Sequence, residues 1–185
     1  GAEHSPVRPA GQTPPPKSVG NGLTFRRDLV GREEIRAGVQ LLCERVAARL
    51  RRHQLKCLTV QVALRSPEFK TVSRQKAAPS PTNVSRVIGQ CAMELIEGAW
   101  NWSAPLRAMT ITAAGLVSEE EAGEQMDLFA PQAAQRRQKQ EKMERAMDQL
   151  REKYGADVIG YASRQTRTAR SITGDEGEEE GEKGK

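Results

Sequence analysis

Apolar residues along this chain keep two different periods, and the strand period ends near position 117. Ile35, Val39, Leu42, Val46 and Leu50 recur at spacings of four, three, four and four, one stripe of a helix over 32–50. Gly31 is placed to cap it. Glu33 and Glu34 suit the positive end of its dipole, and Arg49, Arg51 and Arg52 the negative end. Leu58, Val60, Val62 and Leu64 then alternate with Thr59, Gln61 and Arg65, which predicts a strand over 55–66 with one face buried. A turn at Ser66-Pro67-Glu68 leads into a second strand over 69–76, so the two form a hairpin.

Residues 77–81 interrupt the alternation. Ser80-Pro81 reads as an N-cap followed by proline at the first helical position, with Thr82 or Asn83 as alternative caps. Val84, Ile88, Cys91 and Leu95 mark the apolar face of a second helix ending near Gly98. One β-compatible run, 19–25, precedes the first helix, with Gly20 and Gly22 allowing a bulge or a close backbone approach. Another, 106–116, closes the series. The order β-α-β-β-α-β predicts an α+β fold, a four-stranded, mostly antiparallel sheet with two helices on one face and the other face free.

Outside this domain of residues 17–117 the patterning thins to one narrow stripe. Residues 1–16 are proline-rich, ending in Pro14-Pro15-Pro16, and read as a disordered linker with a further domain expected upstream. Residues 118–132 read as a linker and 133–163 as a helical tail. Met143, Met147, Leu150 and Tyr154 form a narrow stripe on a helix closed by Gly155; such a stripe can dock on a partner or on the domain, but more often belongs to a solvated helix, and 157–163 suggest a further turn. Residues 164–185, Glu- and Gly-rich from 174, read as a disordered tail.

Composition narrows the function. Only 37% of the chain is hydrophobic and 4% aromatic, so the core must be concentrated in the patterned segment. No apolar run approaches the roughly 20 residues that span a bilayer. Cys43, Cys57 and Cys91 sit among apolar residues and read as buried thiols in a reducing, cytoplasmic setting. With two histidines, no metal-ligand spacing and no Cys-His nucleophile can be drawn. The charge is uneven: residues 17–117 hold 16 Lys and Arg against 7 Asp and Glu, a net of +9, whereas 118–185 hold 12 against 16. A cationic domain of this kind suits nucleic acid.

Gln125-Met126-Asp127-Leu128-Phe129 is too short for a core element and too apolar for an ordinary linker. Leu128 and Phe129 suit an apolar pocket on a partner, with Gln125 as an oriented amide and Met126 beside it. The alternative is a linker folding its apolar residues back on its own domain. The pattern arises by chance on the order of once in a few thousand chains of this length. It resembles the peptide by which bacterial replication proteins bind the sliding clamp, the DNA polymerase III β subunit.

The domain has a likeness of its own. Lys17-Ser18-Val19-Gly20 opening a strand that closes with Thr24-Phe25 resembles the entry to the little-finger domain of Y-family translesion DNA polymerases. Phe69-Lys70-Thr71-Val72-Ser73-Arg74 is similar to that domain's hairpin, and Leu106-Arg107 with Met109-Thr110-Ile111 to its last strand. The likeness runs over residues 17–116 with the peptide after it, as in the DNA polymerase IV branch. One departure is that 56 residues follow Phe129, where this branch is expected to carry the peptide near its end.

The resemblance implies a DNA-binding, clamp-docking part of an error-prone DNA polymerase that acts in damage tolerance. A polymerase needs clustered carboxylates for two magnesium ions, and no such cluster is patterned here, so magnesium and catalysis are expected in a separate domain and this chain alone should be inactive. The grip on primer-template DNA is expected from basic side chains and backbone amides on the helix-free sheet face, reading phosphates. The candidates are Lys70, Arg74 and Lys76 on one face of the third strand and Arg107 opening the fourth; the resemblance adds weight to Arg107. Phe25 and Phe69 read as core, and Trp100 and Trp102 as a hydrophobic lid. The alternative is a stand-alone βαββαβ RNA-binding or ribosome-associated protein, against which the absence of stacking aromatics on the strands counts.

Overall fold

The computed structural model describes residues 16–124 and 131–155. The elements run β1 (Ser18–Leu29), α1 (Arg32–Arg52), β2 (Leu55–Arg65), β3 (Thr71–Thr82), α2 (Ser85–Glu97), β4 (Leu106–Ser118), α3 (Glu119–Glu124) and α4 (Pro131–Tyr154). The four strands form one antiparallel sheet in the order β1-β4-β2-β3. The predicted α+β architecture is therefore present. Both α1 and α2 lie on one face, over Phe25, Val60, Val62, Leu64, Met109 and Ile111.

The stripe of α1 is the centre of the core: Ile35, Val39, Leu42, Val46 and Leu50 are all buried. Gly31 caps the helix at φ 91, a left-handed value that favours glycine, and its N–H donates to the carbonyl of Trp102 at 2.8 Å. Trp100 and Trp102 pack against the rim of the core, as a lid does. The three cysteines are free and buried.

Three expectations are corrected. Leu58 is 36% exposed and Cys57 takes the buried place, because the β2–β3 register shifts between Cys57 and Thr59. An irregularity of this kind moves a side chain to the other face. Ser80-Pro81 does not begin the second helix. β3 continues to Thr82, which pairs with Cys57, and the residues that include Pro79 and Pro81 lie inside the register shift, where no ladder N–H is demanded of them. Phe69 is not core: it sits in the hairpin turn at φ 62, 77% exposed, and the strand starts only at Thr71.

Among the described residues no helix is long and apolar enough to cross a membrane.

Candidate nucleic-acid interface

Directly opposed residues of neighbouring strands share a face. The buried Val60, Val62 and Leu64 oppose Ala113, Ile111 and Met109, which fixes the helix-covered side. The residues between them form the other side as four rows read across the sheet. They are Thr24, Ala108, Arg65 and Thr71; Gly22, Thr110, Ala63 and Ser73; Gly20, Thr112, Gln61 and Gln75; Ser18, Ala114, Thr59 and Ala77. These four rows are made of small and polar side chains, with Arg65 the one charged residue among them. A Cβ at Gly22 would stand 2.6 Å from the Thr110 hydroxyl oxygen, and one at Gly20 2.9 Å from that of Thr112. The two glycines thus let those threonines lie low over β1 and keep the surface shallow. Gln61 Nε2 donates to Ser73 Oγ at 3.1 Å, which orders the amide.

The sequence-predicted basic residues do not lie on this face together. Arg74 opposes Val62 and Lys76 opposes Val60, so both strand positions belong to the helix-covered side, correcting the expected placement. The cause is register: even positions of β3 pair with even positions of β2, which are core. Lys76 reaches α2, where its ammonium bonds to the Glu94 carboxylate. That bond raises the Lys76 pKa and lowers that of Glu94. Arg74 is exposed on edge strand β3, its Nη1 donating to the carbonyl of Ser73 at 2.8 Å. Lys70 is exposed in the hairpin turn, where its carbonyl accepts from the N–H of Ser66. Arg107 Nε lies 2.8 Å from Asp28 Oδ1. Gln125, Met126, Leu128 and Phe129 lie outside the described residues, between α3 and α4.

Those two flanking helices hold what sequence reasoning missed. Ser118 and Glu121 cap α3 reciprocally: Ser118 Oγ accepts from the Glu121 N–H at 3.1 Å, and the Glu121 carboxylate accepts from the Ser118 N–H at 3.0 Å. The Ser-x-x-Glu spacing was a legible signal. Of the two readings left open for it, docked and solvated, α4 shows the docked one, through a face other than the expected stripe. Its charged side faces the domain, and the predicted stripe faces out, with Met143 46% and Tyr154 57% exposed. Glu144 is buried between α1 and α2; its carboxylate accepts from Arg51 and from the N–H and hydroxyl of Ser85. Arg51 also donates to Asp148 at 2.6 Å and to the carbonyl of Asn83 at 2.8 Å. Glu141 meets Lys56 at 3.2 Å and Arg145, which also pairs with Glu119 of α3. The polar spacing 141, 144, 145, 148, 151 has helical period and marks this contact face as clearly as an apolar stripe would.

Comparison with known proteins places the chain. Residues 16–128 match the impB/mucB/samB family C-terminal domain. DNA polymerase IV of Acetivibrio thermocellus is 37% identical over 155 residues, covering 84% of this chain and 38% of that protein. DNA polymerase IV of Moorella thermoacetica is 35% identical over 163 residues, 88% of this chain and 38% of its own length. DNA polymerase IV 1 of Bacillus subtilis is 30% identical over 159 residues, 86% and 37%. The chain thus spans under two fifths of these relatives. With a matched domain over more than half its length and a sheet and helices in the expected order, this chain belongs to the impB/mucB/samB family of Y-family polymerases and carries that family's C-terminal domain.

Proposed function

We propose that this chain is the DNA-gripping and clamp-docking part of a translesion DNA polymerase. The shallow, helix-free sheet face carries the reading. Hydroxyls of Thr59, Thr110 and Thr112 and amides of Gln61 and Gln75 point from a surface without bulky side chains, so a nucleic-acid backbone can approach the strands closely. Positive charge stands at the margins: Arg65 and Lys70 at the hairpin end, Arg74 on the edge strand. Lys76 and Arg107 reach a phosphate only by exchanging Glu94 and Asp28. Such a surface holds DNA by its phosphates and reads no base sequence. Catalysis, with its magnesium ions, belongs to a separate domain, and Gln125–Phe129 takes the assembly to the sliding clamp.

The test is binding of this chain to a primer-template duplex as salt is raised. About four phosphate contacts give a log–log slope near −4, at roughly −0.9 per contact. Replacing Arg74 and Arg107 by alanine should flatten the slope by about two. An unchanged slope would place the DNA on another surface.

A further inference from the structure

Helix α1 turns two charged rows outward, and the fold covers one of them. The row through Glu44 and Arg51 lies under α4, with Arg151 3.5 Å from Glu44 and Asp148 2.6 Å from Arg51. Next to it, Arg45, Arg49 and Arg52 recur at spacings of four and three, so they share the adjoining helix face. All three are exposed. Arg49 donates to the carbonyl of Gly20 at 2.9 Å, which sets the row beside edge strand β1. Among the described residues none of the three is paired with a carboxylate. Like charges four apart on a helix repel, so the row is stabilised by any anion that settles on it.

The chain carries an anion of suitable size that neither DNA nor clamp docking uses. Asp175, Glu176, Glu178, Glu179, Glu180 and Glu182 fall within eight positions. The last turn of α4 rests beside the row, because Arg151 meets Glu44, the neighbour of Arg45. From Gly155 to Asp175 is 20 positions, a reach of up to about 66–72 Å. The row itself, seven helical steps long, covers only about 10 Å.

We propose that the acidic segment 175–182 is an intramolecular ligand of the Arg45–Arg49–Arg52 row. Guanidinium groups match carboxylates well, yet exposed pairs contribute little singly. Tethering supplies an effective concentration in the millimolar range and makes several weak pairs sufficient. The contact forms at low ionic strength and is lost as salt screens it. On the DNA-binding reading above, it also offers the basic domain a competitor for phosphate, lowering affinity for DNA away from the clamp. The contact itself does not depend on that reading.

The experiment compares arginine Nε–Hε signals in ¹⁵N NMR spectra of the full chain and of a full-length variant whose six carboxylates are changed to Asn or Gln. At about 50 mM salt the Arg45, Arg49 and Arg52 signals should differ between the two proteins, converge by about 0.5 M salt, and leave buried Arg51 unmoved. Coincident signals at low salt overturn the proposal. A difference that fades on dilution also overturns it, because the contact would then be between molecules. R45Q/R49Q/R52Q should abolish the reciprocal shift of the Glu178–Glu180 side-chain signals; persistence of that shift would place the acidic segment elsewhere. For the competition arm, the neutralised variant should bind a duplex about threefold to tenfold tighter at low salt, and equal affinity removes that consequence. The first arm contains neither DNA nor clamp, so its failure is distinct from a failure of the DNA-binding reading.

Discussion

Arg51 on α1 and Glu144 on α4 form a buried ion pair, their side chains 4% and 3% exposed, 93 positions apart in sequence. Glu144 acts twice. Val84, the N-cap residue of α2, provides no side-chain cap, and the carboxylate of Glu144 accepts the Ser85 N–H at 3.0 Å in its place. An anion at a helix N-terminus is favourable, and here it is supplied from another helix. Helix α4 is thereby part of the folded unit.

Breaking this pair from one side leaves a buried charge unmatched, which costs about 3–5 kcal/mol, whereas removing both partners costs much less. Arg51→Met and Glu144→Leu should each lower stability in urea by about that amount, with the double variant less destabilised than the sum. Glu144→Leu should also speed hydrogen exchange across α4, since its anchor is gone. A coupling energy under about 0.5 kcal/mol in the double-mutant cycle would show the pair to be incidental.

Acid should loosen α4. Burial is the largest influence on Glu141 and pushes its pKa up, but the Arg145 hydrogen bond and the Lys56 charge together hold it below the ordinary carboxylate value. A depressed folded-state pKa contributes stability above the unfolded value, about 4.3, that is lost as pH falls through the folded value. Hydrogen exchange of α4 should therefore accelerate below roughly pH 4. Glu141→Gln should remove part of that dependence and leave the near-neutral rate of the domain core unchanged. An α4 whose exchange ignores pH throughout this window would sink the idea.

The core thiols should be inert in the native state. Burial pushes Cys57 up to about 12, Cys43 higher still, and raises Cys91 as well. At about pH 8 a thiol with that pKa is thiolate roughly once in ten thousand molecules, and thiolate is the reactive form. Ellman reagent should react slowly in native buffer and fully in denaturant. Rapid native reaction of all three would contradict their burial.

How much of this was legible follows from where the signals sit. The α1 stripe, Gly31 as its cap and the alternation of 60–64 are local patterns, and local pattern decides helix and strand. The faces of Arg74 and Lys76 depend on which residues of β2 they oppose, a pairing that no local period states. Leu58 and the extension of β3 to Thr82 failed for the same reason, a register shift between two strands. Helix α4 was illegible for a different reason: its apolar stripe is not its contact face, and the face that docks is ionic, with partners at Lys56 and Arg51 that lie far away in sequence.

The segment proposed to dock on the clamp, residues 125–129, is bounded by two anchored helices. Six positions separate Glu124 at the end of α3 from Pro131 at the start of α4. α3 is held by its cap at Ser118 and by Glu119, whose N–H bonds to Gln54 and whose carboxylate bonds to Arg145. A segment with both flanks fixed has less entropy to lose on binding than a free tail, which offsets part of the cost of docking. Burying a Leu or Phe side chain in the clamp's apolar cleft stabilises by roughly 1.5–3 kcal/mol each, and micromolar affinity, about −8 kcal/mol, is the expected net. Most of it should rest on Leu128 and Phe129, with the Gln125 amide fixing register, Met126 adding a softer contact and Asp127 left to solvent. Replacing Leu128 and Phe129 by alanine should cost about 3–6 kcal/mol, a hundredfold or more, in calorimetric titration of this chain into purified sliding clamp. Glu144→Leu, which frees α4, should weaken clamp binding by only about threefold to tenfold through the added ordering cost. Equal affinities of wild type and the Leu128, Phe129 double variant would refute the assignment. A parallel loss of DNA binding in that variant would show instead that the peptide packs on its own domain.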